Sequence, residues 1–266
     1  MNRFESITKP AMWSTSILLA AILAGCGGGN GVPGAKAGVV GATCSGTGCV
    51  NLGTAANYAI LAKTGVSSVP NSVVTGNIGL SPAARGFLTG WSLITEPTDT
   101  SFGSAQVSGR LFAADNVGGT TSVDLTTAVG DMQTAYTTAN GGAAGAACPN
   151  VGAFGGQTII AGVYDCAMNV GIASGTNLIL SGPGVFVFRI TGTLTQAAAT
   201  QVTLSGASAQ NVFWVVSQGV AIGTTATMNG VILGKTNVSV GQGATVNGRI
   251  LAQTLVALDQ TTVTPP

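Results

Sequence analysis

The stretch "NVSVGQGATVNGRILAQT" (residues 237–254) repeats "GVAIGTTATMNGVILGKT" (219–236) almost position for position. Aligning the two sets Val220 and Ile222 against Val238 and Val240, and the same interval leads on to a third such pair, Val256 and Leu258. A period of this length is too short for a helical hairpin and too long for one strand. It accommodates three short strands separated by corners, which is one coil of a parallel β-helix. Two looser copies lie upstream at wider intervals, one at Val170 and Ile172 ("NVGIASGTNLIL") and one at Leu194 ("GTLTQAAATQVTL"). Their added length falls in "SGPG" (181–184) and "SGASAQN" (205–211), read as excursions from the coil. Gly223, Gly230, Gly241 and Gly248 recur where corners are expected, and glycine suits corners that need unusual backbone angles. The apolar runs "VFVFRI" (185–190) and "VFWVV" (212–216) supply walls or core in the longer coils.

One segment departs from this pattern. In "SVDLTTAVGDMQTAYTTANGG" (122–142) the apolar positions Leu125, Ala128, Val129, Met132, Ala135, Tyr136 and Ala139 step by three and four, marking one face of a helix. Ser122 is the expected N-cap, and Asn140-Gly141 the stop signal. A lone amphipathic helix must bury its stripe, so it is expected to lie along one side of the solenoid, with both ends of the chain contributing coils.

Composition narrows the function classes. The chain has 266 residues, 6% of them charged and 45% hydrophobic, with 41 glycines, no histidine and a net charge of +1. This balance offers no footprint for nucleic acid and no polyelectrolyte disorder. Beyond the N-terminus no apolar run reaches the roughly 20 residues of a membrane-spanning helix. A transmembrane barrel calls for roughly 10-residue alternating strands and aromatic girdles, and neither is seen. Without histidine, acid–base catalysis would fall to carboxylates, yet Glu96, Asp99, Asp115, Asp124, Asp131, Asp165 and Asp259 are scattered and never recur in the repeat. "GCGGGNG" (25–31) is no phosphate loop, since no strand precedes it and no lysine closes it. No enzyme, cofactor or metal is expected.

Residues 1–25 read as a signal segment: Arg3 and Lys9 precede the apolar run Ile17 to Ala24, and "LAGC" (23–26) resembles a bacterial lipobox. Cys26 would then carry lipid, and Gly27 after it implies the outer membrane within the lipoprotein class. The expected location is the outer membrane or cell surface, or the medium after secretion. Residues 26–50 form a Gly-rich tether with a short Cys pair, and 51–266 the β-helix domain. Cys44, Cys49, Cys148 and Cys166 form an even set in an exported chain. Of three possible pairings the local ones are favoured, Cys44 with Cys49 and Cys148 with Cys166.

Six phrases in order carry a resemblance: "LGTAANYAILAKTGVSS" (52–68), "SVVTGNIGLSP" (72–82), "IIAGVYDC" (159–166), "VFVFRI" (185–190), "NVFWVV" (211–216) and "NGRILAQT" (247–254). From Asn51 to Val263 the chain resembles the ice-binding-like domains of microbial antifreeze proteins. That resemblance implies a mainly β fold: a discontinuous right-handed parallel β-helix, a three-faced solenoid with one long α-helix packed alongside. It also implies that one flat β-face meets ice, written in some members as Thr-Ala/Gly-x-Thr/Asn; the chain itself is expected to be a monomer. The matching slots here are "MNVG" (168–171), "GTLT" (192–195), "QGVA" (218–221), "TNVS" (236–239) and "TLVA" (254–257).

Strand alternation leads to the same surface. If Val220, Val238 and Val256 point inward, their neighbours point outward. One column is then Asn169, Thr193, Gly219, Asn237 and Leu255, and the other Gly171, Thr195, Ala221, Ser239 and Ala257. The candidate ice-binding residues are Thr193, Thr195, Gly219, Ala221, Asn237, Ser239 and Ala257. A second-choice face holds Thr227, Asn229, Thr245 and Asn247, set outward by inward Met228 and Val246, although the coils around Thr176 and Thr200 fit its register poorly. The expected partner is the surface of an ice crystal, with the membrane involved only through the lipid anchor. The alternative is a structural or adhesive surface lipoprotein that binds another polymer, or itself, through the same flat face.

Overall fold

The structure, a computed structural model, describes residues 48–266. The signal segment, Cys26, the Gly-rich stretch and Cys44 lie outside the described residues.

Three parallel walls wrap one core. The helix-side wall stacks Thr158–Cys166, Leu178–Ile190, Val212–Val216, Val231–Gly234, Ile250–Ala252, Tyr58–Ala62, Asn77–Leu80 and Leu111–Ala113. The flat wall runs Val170–Ile172, Leu194–Gln196, Val220–Ile222, Val238–Val240, Leu255–Asp259, Gly65–Val69 and Leu88–Thr89. The third wall carries Thr227–Asn229, Thr245–Asn247, Thr262–Thr264 and Val73–Val74, continued below by Val202–Ser205 and by the first halves of Thr158–Cys166 and Leu178–Ile190, which turn the corner into the helix-side wall. The expected register holds: Val220 pairs with Val238, and Val238 with Val256.

The discontinuity is visible on every wall. Ile60 pairs with Ile250, Val66 with Val256 and Val73 with Thr262, so the N-terminal coils stack directly on the C-terminal one. The helix, Thr121–Gly141, carries the chain back to the other end of the solenoid. All seven apolar positions of its predicted stripe are buried. They pack against Leu61, Val187, Phe213, Val215, Val231, Leu233 and Leu251 on the outer face of the helix-side wall. That wall is buried on both faces, which is why "VFWVV" shows no alternation. Inside, Tyr164, Phe188 and Trp214 stack coil upon coil, with ring centroids 5.5 and 4.5 Å apart.

Two expectations are corrected. The helix begins one residue before Ser122, with Thr120 as its N-cap: the Thr120 carbonyl accepts from Asp124 N–H, and its hydroxyl donates to the Asp124 carboxylate at 2.8 Å. Of the four corner glycines only Gly230 has a left-handed backbone, at φ +116°. The other three are needed because coils approach closely: a β-carbon on Gly223 would meet the Ala198 nitrogen at 2.5 Å, on Gly241 the Thr224 nitrogen at 2.9 Å, and on Gly248 the Gly230 carbonyl. The expected excursion at "SGPG" is present: within the strand Leu178–Ile190 the pairs Ile160 with Ser181 and Gly162 with Phe186 flank a register shift, with Gly182 and Gly184 at φ +90° and +124°. The residues on either side pair with 202–204 and with Val212–Val216.

Cys148 and Cys166 form the expected disulfide, with Cα atoms 4.6 Å apart. Cys49 is also disulfide-bonded.

Candidate functional site: the flat wall

The flat wall is a seven-strand parallel ladder, roughly 30 Å from first strand to last at about 4.8 Å per strand. Inward residues hold it to the core: Val170, Ile172, Leu194, Val220, Ile222, Val238, Val240, Val256, Leu258, Val66 and Leu88 are all buried. Their neighbours therefore face out, and the register brings the predicted columns together. Gly171, Thr195, Ala221, Ser239 and Ala257 stand in one line through successive pairings. Asn169, Thr193, Gly219, Asn237 and Leu255 precede the paired residues and form the second line. Thr195, Ala221, Asn169, Asn237 and Leu255 are exposed, whereas Gly171, Thr193, Gly219, Ser239 and Ala257 are half-buried.

Several polar groups on this wall are tied to the backbone of the next coil. The Ser239 hydroxyl donates to the Val220 carbonyl at 3.2 Å, and the Asn169 Oδ1 accepts from Thr193 N–H at 3.0 Å. Such bonds fix rotamers before anything binds. Neither column contains an ionisable side chain. The described ion pairs sit elsewhere: Arg189 with Asp165 beyond the helix C-terminus, and Arg110 with Glu96 and Arg85 with Asp99 and Asp115 in the segment following the Leu88–Thr89 strand or close to it. There the Arg85 guanidinium, by hydrogen bonding, holds the Asp99 carboxyl below its ordinary range. No cluster of three metal-ligating side chains occurs among the described residues.

Sequence reasoning missed the upper end of the wall. Ser67 continues the Ala257 column and Thr89 follows Ser67, while Gly65 continues from Leu255. Phe87, 59% exposed, follows Gly65 in that line. The alternation in "GVSSV" (65–69) is a usable signal, but the strand Leu88–Thr89 has two residues and no pattern to read.

The second-choice residues also converge. Thr227 pairs with Thr245 and Asn229 with Asn247, all half-buried, and Met228 and Val246 are fully buried. Thr262 and Thr264 extend these lines. Thr176 and Thr200 are not on this face. Each sits at a corner with its hydroxyl on a local carbonyl, of Ala173 and Ala197 respectively, and Thr200 is fully buried.

A discontinuous parallel β-helix, bearing a long wall with two uncharged central lines and, among the described residues, one covering α-helix, defines the class of protein. The model of the ice-binding-like family matches residues 60–264, and the chain belongs to that family. It is 47% identical over 193 residues to ice-binding protein K1-A of Typhula ishikariensis, covering 70% of this chain and 77% of that protein. An ice-binding protein of Flavobacterium frigoris (strain PS1) is 37% identical over 227 residues, 82% of this chain and 76% of its own. Among solved structures, the ice-binding protein LeIBP from an Arctic yeast, described for its antifreeze activity, superposes with a TM-score of 0.80 at 38% identity, covering 84% of this chain and 96% of its own. The DUF3494 domain of Shewanella frigidimarina ice-binding protein_1 gives 0.72 at 29% identity, covering 81% and 96%.

Proposed function

We propose that this chain is an antifreeze protein that adsorbs to ice through its flat wall, inhibiting ice growth or recrystallisation or attaching the cell to ice. The observation that carries the reading is the wall itself: seven strands in one unbroken ladder, presenting two lines dominated by small, uncharged side chains. Membership of the ice-binding-like family and the named activity of its relatives support it.

The mechanism is preorganisation. Methyl groups of Thr193, Thr195, Ala221 and Ala257 cage water, while the hydroxyl of Ser239 and the amide of Asn237 anchor it. Coil spacing rules both lines at a period close to a repeat in ice. Because hydrogen-bonded coils already hold these groups in place, little conformational freedom is lost on adsorption. No bond is made or broken, so neither a catalytic group nor a cofactor is required. We further place the protein outside the cell as a monomer, with residues 1–25 as its signal and Cys26 as the lipid anchor.

The test is ice recrystallisation inhibition and thermal hysteresis on residues 27–266, beside a Thr195→Tyr, Ser239→Tyr double variant. Activity in the parent and its loss in the variant, at unchanged thermal midpoint, is the expected result. An inactive parent sinks the ice reading and leaves adhesion to another polymer; an active variant moves the site to the third wall.

A further inference from the structure

The solenoid changes gauge at one level. The coil that runs from Leu194 to Val220 is longer than the two that follow it, Val220 to Val238 and Val238 to Val256. On the third wall this change leaves a seam. Val202–Ser205 pairs with the long strand on one side, Thr227–Asn229 opens the four-strand ladder on the other, and a single bridge, Gln201 to Thr227, joins them.

Two side-chain amides cross this seam. From outside, Asn229 Nδ2 donates to the Val202 carbonyl at 2.6 Å. From inside, Gln196 Nε2 donates to the carbonyls of Thr200 at 3.0 Å and Thr227 at 3.1 Å. Gln196 is 1% exposed and stands in an inward column whose other members include Ile172, Ile222, Val240 and Leu258. A glutamine among aliphatic neighbours is costly unless its amide is satisfied.

Only half of it is. Gln196 Oε1 is the one buried side-chain nitrogen or oxygen among the described residues that has no hydrogen-bond partner. Turning the amide over offers no remedy, because it sets an acceptor oxygen against two carbonyl oxygens. The nearby Thr200 hydroxyl is committed to the Ala197 carbonyl at 2.8 Å. A buried amide oxygen calls for a donor, and the donor that fits an enclosed, uncharged place is water.

We propose that Gln196 binds an ordered water inside the solenoid, and that amide and water together close the seam between long and short coils. The water donates to Oε1, which keeps the amide turned so that Nε2 spans the two carbonyls. Gln196 is therefore a positioning residue. It acts on the coil that presents Thr195, its outward neighbour, without touching anything that binds there.

The test combines a high-resolution crystal structure with amide exchange on the full chain and on Gln196→Met, which keeps length and removes both polar atoms. The expected result is water density about 3 Å from Oε1 in the parent. In the variant, exchange at the Thr227 amide, which bonds across the seam to Thr200, should be about tenfold faster through local opening. The Thr262 amide, bonded to Ala244 beyond the seam, is the unchanged control. Finding Oε1 bonded to a protein donor, or to nothing, overturns the water site whether or not the variant folds. Density with no change at Thr227 overturns the seam role.

Discussion

The flat wall and the third wall are built from the same coils, yet they differ in how far their ladders run without a break. Strand for strand the third wall is the richer in hydroxyls, with Thr227, Thr245 and Thr262 in one line. The flat wall intersperses threonine and serine with glycine and alanine. But the flat wall is one ladder of seven strands, whereas the third is interrupted between Gln201 and Thr227. Both walls tie polar side chains to the next coil: Asn229 donates to Val202 and Asn177 Oδ1 accepts from Gln201 N–H on the third wall, as Asn169 Oδ1 accepts from Thr193 N–H on the flat one. The third wall's lower strands expose Ile160 and Ile179, at 69% and 38%. On the proposed reading, length of uninterrupted register, more than hydroxyl density, separates the surface that meets ice from one that stabilises corners.

The largest expected effect comes from loosening the coil beneath both walls. Cys148–Cys166 closes an 18-residue loop at the lower end, where Ala153 bridges to Gly171. Replacing both cysteines with serine should cost about 3 kcal/mol in denaturant unfolding, as for a loop of this size. A loss well below that would mean that the disulfide is not what holds the lower coil. Next is a change on the flat wall alone. Ala221 is exposed midway along the Gly171 to Thr89 line, between Thr195 and Ser239. Ala221→Tyr should reduce ice recrystallisation inhibition about tenfold, equivalent to about 1.4 kcal/mol. Unfolding stability should move by no more than about 0.5 kcal/mol, as at ordinary surface positions. Equal losses in both measurements would assign Ala221 to the fold instead of the surface.

How much of this was legible in the sequence differs between the two walls for a physical reason. Where the coils are short and of equal length, each strand repeats its inward pair, so Val220, Val238 and Val256 declared the flat wall and its register directly. The third wall announced itself only in the two short coils with Met228 and Val246. Below the seam its residues are Asn177, Ile179, Gln201 and Thr203, and their order does not repeat the Thr-x-Asn of the coils above. The corner glycines were read for backbone freedom, because a sequence shows glycine but not the neighbouring coil that excludes a β-carbon. Gln196 stands two residues after Leu194, in the slot of Ile172 and Ile222, so the repeat points it inward, but only the closed core reveals that its amide crosses to another wall.

The comparison can also be sharpened by improving the flat wall. Gly171 is the first member of its column, its φ lies outside the left-handed region, and a β-carbon there would meet only the Thr195 carbonyl, at 3.9 Å. Gly171→Thr should therefore be accepted without strain, and extend the Thr195 line by one methyl and one hydroxyl. An increase of about twofold in recrystallisation inhibition is expected, equivalent to about 0.4 kcal/mol. A decrease would show that the lowest coil must stay bare, and that the contact begins at Thr195.

The smallest expected effect is the most discriminating. Thr245 lies at the middle of the three-threonine line on the third wall, half-buried and paired with Thr227 and Thr262. Thr245→Tyr places the same bulk there that Ala221→Tyr places on the flat wall. If unbroken register decides adsorption, Thr245→Tyr should leave inhibition within about twofold, or about 0.4 kcal/mol, of the parent. If hydroxyl density decides it, the ranking reverses and this variant becomes the damaging one. Both substitutions add one aromatic ring to a solvent-facing strand of the same solenoid, so nonspecific costs to folding or solubility largely cancel between them. The ratio of the two activities therefore reports which wall meets the crystal, even if neither activity is measured on an absolute scale.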